Sequence, residues 1–241
     1  MSNLLRLSVF LILLGRISTL GATTIRVDMD LVATSCATLL EGDCSAQLGA
    51  TTVDFNDAFD NRSGYYTSGI ATYVWDPQLD SPIVRGSRPF LYASPGQLFN
   101  PTPYLSVGTP GAPGIITINL SKPIIYFGIF MGSPDQYNSI SFFSGDTLIE
   151  AFSGDNSRLK APGATLGSWD EKNYINFYIE GGVADKIIIT STEAALETDN
   201  HAFVAAPDVY VPEPSTECTL GIGGILLAAG RLRILRRKKT N

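Results

Sequence analysis

Histidine is almost missing from this 241-residue chain, in which His201 is the one example. A Ser-His-Asp triad would therefore have to use His201, yet no Gly-x-Ser-x-Gly elbow accompanies it. The histidine and the few cysteines do not have the spacing of a zinc site. No glycine-rich phosphate loop is present either. We therefore expect no enzymatic activity and interpret His201 as a structural or surface residue.

Positive charge is scarce in the central part of the chain. Between residues 23 and 211, nine Lys and Arg residues oppose 21 Asp and Glu residues, a net charge of −12 against −6 for the whole chain. So acidic a domain repels nucleic acid and anionic lipid, and we predict no nucleic-acid partner. Cations and neutral molecules are the partners that this charge favours.

Long hydrophobic runs are also lacking, and two short runs near the ends divide the chain. Residues 7–14 (LSVFLILL) follow Arg6, and small residues near Gly21 suit cleavage, so residues 1–22 are predicted to be a signal peptide for the Sec export machinery. A buried N-terminal helix is the alternative. Residues 23–206 then form one domain. Residues 207–217 form a linker, and residues 218–241 form a hydrophobic helix with a basic cytoplasmic tail.

The linker contains the triplet Pro212, Glu213 and Pro214. The two prolines fix φ and lack an N–H, so the triplet stays extended and accessible to a processing enzyme. The apolar run at residues 218–230 reaches membrane length only if apolar neighbours join it while the arginines among them snorkel. A basic cluster then fixes this end on the cytoplasmic side, and it consists of Arg236, Arg237, Lys238 and Lys239.

This order of triplet, apolar span and basic cluster, from Val211 to about Lys239, resembles the PEP-CTERM sorting tail of bacterial exosortase substrates. The resemblance implies an exported protein that the helix anchors transiently in the inner membrane. Exosortase would process it near the triplet, and the product would stay at the cell surface or in the extracellular matrix. An ordinary tail anchor behind a proline-rich linker is the alternative.

Short β-rich runs, separated by Gly, Pro, Asn, Asp and Ser, fill the central domain. Residues 24–30 alternate, with Ile25, Val27 and Met29 on one face. Further strands are predicted at residues 51–55, 72–75, 104–107, 115–120, 124–131, 139–143, 147–152, 174–180 and 186–190. Their spacing of about ten residues favours an all-β, jelly-roll-like β-sandwich. Residues 34–48 are the one candidate helix, and residues 77–114 are expected to be a long, irregular connection.

Cys36 and Cys44 lie close together in the central domain. In an exported chain such a pair predicts a disulfide that closes a small loop. Two free buried thiols are the alternative. The third cysteine, Cys218, belongs to the tail.

Oxygen-bearing side chains gather where strands are predicted to end. One cluster contains Asp54, a second contains Asp135, and a third contains Asp199 and Asn200. The first and last strands of a sandwich can be neighbours, so Asp54, Asp199 and Asn200 are a candidate calcium site. No other cofactor is expected. The alternative for each cluster is that Asp and Asn only shape turns.

A second resemblance rests on three motifs, which are residues 125–143 (IYFGIFMGSPDQYNSISFF), 174–178 (YINFY) and 197–202 (ETDNHA). Together they look like the β-sandwich ectodomain that accompanies PEP-CTERM tails in a family of exosortase-dependent surface proteins. This resemblance covers roughly residues 115–204. It implies surface display, and it carries over no binding residues.

The sequence therefore favours a non-enzymatic structural or adhesion protein, with two alternatives. One is a carbohydrate-binding or calcium-dependent module with exopolysaccharide as a partner. Aromatic rings that could stack on sugars, unless they fill the core, are Trp75, Tyr65, Tyr66, Trp169 and Tyr174. The other is a secreted glycoside hydrolase with a carboxylate pair, although the sequence does not single out a pair.

Overall fold

The structure is a computed structural model that describes residues 22–29, 34–36, 42–58, 63–95, 102–112, 114–132, 135–159 and 173–208. These residues confirm the predicted all-β fold, with a short 3-10 helix at Ser157–Leu159. The strands are β1 (Thr24–Asp28), β2 (Thr34–Ser35), β3 (Asp43–Cys44), β4 (Thr51–Val53), β5 (Tyr65–Ser68), β6 (Ala71–Val74), β7 (Ile83–Arg85), β8 (Pro103–Val107), β9 (Ile115–Met131), β10 (Asn138–Ser144), β11 (Thr147–Ser153), β12 (Asn173–Glu180), β13 (Ala184–Ser191) and β14 (Leu196–Ala205).

Strand β9 is 17 residues long and belongs to both halves of a curled, antiparallel sheet of 12 strands. Its first half lies between β13 and β6, and this half-sheet continues to β10 and β11 on one side and to β5 on the other. Its second half lies between β12 and β14, and β1, β4, β8 and β7 extend that half-sheet. Pro123 lies where β9 changes partners, next to an irregularity in its pairing with β13. A proline is tolerated there because few ladder hydrogen bonds depend on its missing N–H.

The two half-sheets pack face to face, as the predicted β-sandwich requires. The ring of Phe177 on β12 lies 5.0 Å from that of Phe142 on β10 and 5.3 Å from that of Phe152 on β11. These positions result from the period of two in each strand; on β10, Ile140 and Phe142 are buried between half-exposed neighbours. Burying each large apolar side chain contributes about 1.5–3 kcal/mol, so this aromatic layer holds the halves together.

The second half of β9 is buried on both of its faces, which explains its continuous apolar sequence. Phe127 and Ile129 face the main core, whereas Tyr126 and Phe130 form a second cluster with Tyr174 and Ala202 on the opposite face. Residues near Gly42 cover that second cluster, because a side chain at Gly42 would collide with the ring of Phe130. The face behind the second half of β9 is therefore closed to solvent.

Four predictions about local structure are wrong or incomplete. The described parts of residues 34–48 contain the β2–β3 hairpin and turns in place of the candidate helix. The predicted strands 115–120 and 124–131 are one strand, and residues 77–114 contain β7 in addition to β8, which was predicted at residues 104–107. Strand β14 was not predicted at all, although it is central.

The chain divides into two compact units, Met1–Ala206 and Pro207–Asn241.

Candidate functional site

His201 is a buried structural residue in the middle of β14. Its Nδ1 lies 2.9 Å from the hydroxyl of Tyr73, and its Nε2 lies 2.9 Å from Thr198 Oγ1. The rings of Phe55 and Phe127 meet the imidazole edge-on. Complete burial lowers the pKa of His201 to about 3, so the imidazole is neutral at physiological pH. The side chain supports the core and does not reach the surface.

A disulfide joins Cys36 to Cys44, with an S–S distance of 2.05 Å. The segment that follows it is tied to the second half of the sheet by hydrogen bonds. Ser45 Oγ lies 2.6 Å from the hydroxyl of Tyr126, which in turn donates to Asn176 Oδ1 over 2.7 Å. Buried hydroxyl groups are costly without partners, so this network fixes the loop against the sheet.

Glu197 links two loops at one end of the sandwich. Its carboxylate oxygen Oε1 accepts a hydrogen bond of 2.9 Å from the Ala93 N–H, and its carbonyl accepts one of 3.0 Å from the Gly132 N–H. Burial, with a smaller contribution from the negative charge of Asp135, raises the pKa of Glu197 to about 7. Asp135 itself accepts a hydrogen bond of 2.8 Å from the Tyr137 hydroxyl. These contacts make Glu197 an anchor for the loops that surround it.

The candidate calcium residues are neighbours along paired strands but differ in exposure. Val53, the last residue of β4, pairs with His201 on β14. Asp54 thus comes one residue after that pair, while Asn200 and Asp199 come one and two residues before it. Asp54 is exposed, and its carboxylate accepts hydrogen bonds from Asn56, whereas Asp199 and Asn200 are fully buried. Within the described ranges, no three His, Cys, Asp or Glu side chains gather as metal ligands. Calcium binding stays a prediction.

A surface groove of about 370 Å³ lies where β6 ends and β9 begins, and we call it the Trp75 groove. Its lining includes Val74, Trp75, Asp76, Leu79, Ile115 and Thr117. Three of these apolar side chains are well exposed, at 38% for Val74, 39% for Leu79 and 60% for Ile115. Exposed apolar side chains that cluster at a concave site are typical of binding surfaces.

Trp75 is among the lining residues of the Trp75 groove, although its side chain belongs to the main hydrophobic core. The indole ring of Trp75 is buried, and its Nε1–H has no hydrogen-bond partner. A buried donor without an acceptor costs about 1–3 kcal/mol, which the fold must absorb. Tyr65 on β5 pairs with Val74 on β6, so its exposed ring lies directly beside the groove.

The other predicted sugar-stacking rings fill the core or lie outside the described residues. Tyr66 and Tyr174 are buried, at 7% and 5% exposure, and Trp169 is outside the described ranges. Sequence reasoning missed Ile115 and Leu79 as surface residues. The neighbouring Ile115 and Ile116 carried a signal, because side chains alternate in a strand and the two must face opposite sides of the sheet.

The sorting triplet, the apolar span and the basic cluster lie outside the described residues. In the part of the chain that is described, no helix has the length and apolar character that crossing a membrane requires.

Comparison of this chain with protein-family models, with curated proteins and with solved structures finds no match.

Proposed function

We propose that this protein is exported, sorted by a PEP-CTERM-type tail and processed by exosortase, and that it serves as a non-enzymatic structural or adhesion protein at the cell surface or in the extracellular matrix. The observation that carries this proposal is the order of the tail: Pro212, Glu213 and Pro214, then the apolar residues 218–230, then the basic residues 236–239. The predicted signal peptide, residues 1–22, is a second indication of export.

The chemistry of the tail supports transient membrane attachment followed by cleavage. Proline disfavours helix interiors and sheet ladders, so we expect Pro212 and Pro214 to keep the peptide around Glu213 extended. The apolar span is short for a bilayer about 30 Å thick, and arginines interrupt its far side. Such a span holds a precursor at the membrane less firmly than a permanent anchor does.

The described domain supports an extracytoplasmic destination. Its Cys36–Cys44 disulfide is of the kind that persists in an oxidising compartment. The last of the described strands ends at Ala205, a few residues before the triplet in the sequence. The paired, face-to-face half-sheets also support the jelly-roll-like ectodomain that accompanies such tails.

Processing is tested in a host that contains exosortase, by mass spectrometry of the mature protein. We expect wild type to lose residues 218–241, whereas Glu213→Ala and removal of residues 236–239 leave a membrane-bound precursor. Glu217→Ala is the matched control, because it removes a nearby acid outside the triplet and should be processed normally. Equal processing of wild type and Glu213→Ala would overturn the proposal.

A further inference from the structure

The connection from β7 to β8 presents an exposed aromatic side chain on a strained turn. The Leu91 N–H donates to the Arg88 carbonyl over 3.0 Å, which closes a four-residue turn with Pro89 and Phe90 at its centre. Phe90 has a φ of 65°, a value that suits glycine or asparagine at the second central position of a turn. Phe90 is also 97% exposed, so the fold gains almost no packing from its ring. Backbone strain of this kind clusters at functional sites.

Hydrogen bonds hold this turn in a fixed position. Arg88 and Tyr92 form an isolated antiparallel bridge, in which their backbone N and O atoms lie 2.8 and 3.1 Å apart. At the base of the turn, the Ala93 N–H donates to Glu197 Oε1 over 2.9 Å. We call residues 86–94 the Phe90 arm. Because the backbone of the arm is already ordered, docking of its tip onto a partner costs little conformational entropy.

The Phe90 arm is basic, in contrast to the acidic domain that carries it. Arg88 in the arm and Arg85 directly before it are both exposed. The sequence has no Asp or Glu between Asp80 and Asp135, so the segment around the arm adds no negative charge of its own. A surface that fits the arm must therefore offer a recess for the ring of Phe90 and negative charge beside that recess.

The Trp75 groove offers both of these features. Its exposed apolar side chains are Val74, Leu79 and Ile115, and its volume of about 370 Å³ is large enough for an aromatic ring. Asp76 lines the groove, Asp80 directly follows Leu79, and both acids are exposed. Among the described residues that line the groove there is no Lys or Arg. The groove of one copy is therefore complementary in polarity and charge to the arm of another copy.

A second copy suits the arm better than a lipid surface does. A bilayer would accept the ring of Phe90, but the Trp75 groove would then stay exposed. One contact between copies covers both exposed apolar features at once, and uncovered apolar patches are rare on proteins that stay monomeric. The general repulsion between two acidic domains is largely screened beyond about 8 Å at physiological ionic strength, so the opposite charges at the contact decide the local interaction.

We propose that the protein self-associates by insertion of Phe90 of one copy into the Trp75 groove of the next copy, with Arg88 of the arm facing Asp76 and Asp80 beside the groove. The arm and the groove are different surfaces, so the contact is heterologous and copies join head to tail in filaments or rings. This inference goes beyond sorting by the tail and does not depend on it, because the contact lies wholly in the described domain.

The test is sedimentation velocity of the full-length protein in a detergent that covers the apolar tail. We expect wild type to form oligomers whose size rises with concentration. Phe90→Asp and Ile115→Asp should each weaken association at least about tenfold, because one removes the inserted ring and the other places a charge in the groove. Leu48→Asp and Leu148→Asp are the matched controls and should associate like wild type. Leu48 is 92% exposed and Leu148 is 51% exposed, and neither lies in the arm or the groove.

A mixture of the two defective variants tests the geometry of the contact directly. Phe90→Asp keeps an intact groove, and Ile115→Asp keeps an intact arm. An equimolar mixture should therefore form dimers that do not grow further, although each variant alone stays monomeric. Leu79→Ser changes an exposed loop residue of the groove, so it takes the place of Ile115→Asp if that variant fails to fold. Arg88→Glu should also weaken association, because it would face the acids beside the groove with a like charge.

Three results would overturn the proposal. The first is a wild-type protein that stays monomeric up to about 100 μM. The second is equal association of Phe90→Asp and Leu48→Asp, which would assign any oligomers to the tail that all variants share. The third is a mixture of arm and groove variants that forms no dimer. Vesicles of anionic lipid are the remaining comparison, and if Phe90→Asp loses vesicle binding while its self-association is unchanged, the arm contacts membranes and the proposal is wrong.

Discussion

Replacing Glu197 by Gln is expected to expose an acid sensitivity that the wild-type domain conceals. Burial raises the pKa of Glu197 from 4.5 to about 7 and lowers the pKa of His201 from 6.5 to about 3. The two shifts have opposite effects on stability. The raised pKa of Glu197 means that the native state holds its proton more tightly, so the stability due to Glu197 is lost as the pH rises from about 4.5 to 7. The lowered pKa of His201 means that stability is lost as the pH falls from about 6.5 to 3.

The magnitudes follow from the sizes of the two shifts. Each pKa unit corresponds to about 1.36 kcal/mol. Between the unfolded and folded pKa values of each group, the free energy of unfolding therefore changes by about 3 kcal/mol for Glu197 and by about 5 kcal/mol for His201. Between about pH 4.5 and 6.5, one contribution falls by up to about 1.4 kcal/mol per pH unit while the other rises by the same amount. The pair therefore contributes almost no pH dependence in that range, and removal of either group uncovers the other.

Urea denaturation of wild type and Glu197→Gln from pH 4.5 to 8.5 measures the effect. The free energy of unfolding of the variant, relative to wild type, should rise by about 3 kcal/mol across this range. Taking the difference removes the contributions of the other ionisable groups. The Gln amide oxygen can still accept the Ala93 N–H, and its hydrogen bonds do not change with pH. Glu193→Gln, at an exposed position, controls for the loss of one negative charge. A difference that stays within about 1 kcal/mol at every pH would show that Glu197 is not desolvated.

Two further predictions concern the packing behind the second half of β9. The two cysteines of the Cys36–Cys44 bond are 8 residues apart, and reduction of this bond should lower the free energy of unfolding by about 2.5 kcal/mol in denaturant titrations. The Cys36→Ser, Cys44→Ser double variant should not respond to reductant. A wild-type protein whose stability is unchanged by reductant would contradict the prediction. Gly128→Ala should destabilise by about 1–3 kcal/mol, because its Cβ would overlap the Tyr126 hydroxyl and lie 2.6 Å from that of Tyr174. At Gly132 the nearest atom to an added Cβ is 3.5 Å away, so Gly132→Ala should melt close to wild type, and equal losses in the two variants would refute this packing argument.

The sequence predicted those strands in which buried and exposed side chains alternate regularly or in which the apolar run is continuous. On β10 and β13 the alternation is regular, so their bounds agree with the structure to within about two residues. It also identified the run at residues 124–131 as a strand, because a continuous apolar run suits a strand that is covered on both faces. In these segments local preference and tertiary packing favour the same structure.

Strand β14 could not be predicted, because its conformation depends on its neighbours. Glu197, Asp199 and Asn200 are poor strand formers, and Asn200 has a φ of 50°, which few residues other than glycine adopt. The register with β9 shifts between Asp199 and Ala202, so no simple alternation is present. Pairing with β9 and β4 nevertheless fixes these residues in the core. The Trp75 groove was missed for a related reason, since it forms only where the ends of β6 and β9 meet.

The position of β9 in the chain has a consequence for biosynthesis. Strands β12, β13 and β14, which flank most of its length, are all synthesised after it, and of the described strands that pair with it only β6 comes earlier. When β9 leaves the ribosome, most of its N–H and C=O groups therefore have no partner strand yet. The first half-sheet cannot close until β13 has been made, and the second cannot close until β14 has been made, so early portions of the chain have no stable fold in which to become trapped. We expect the nascent chain to stay unfolded until translation is nearly finished, and a translocation channel that threads polypeptides requires that same state.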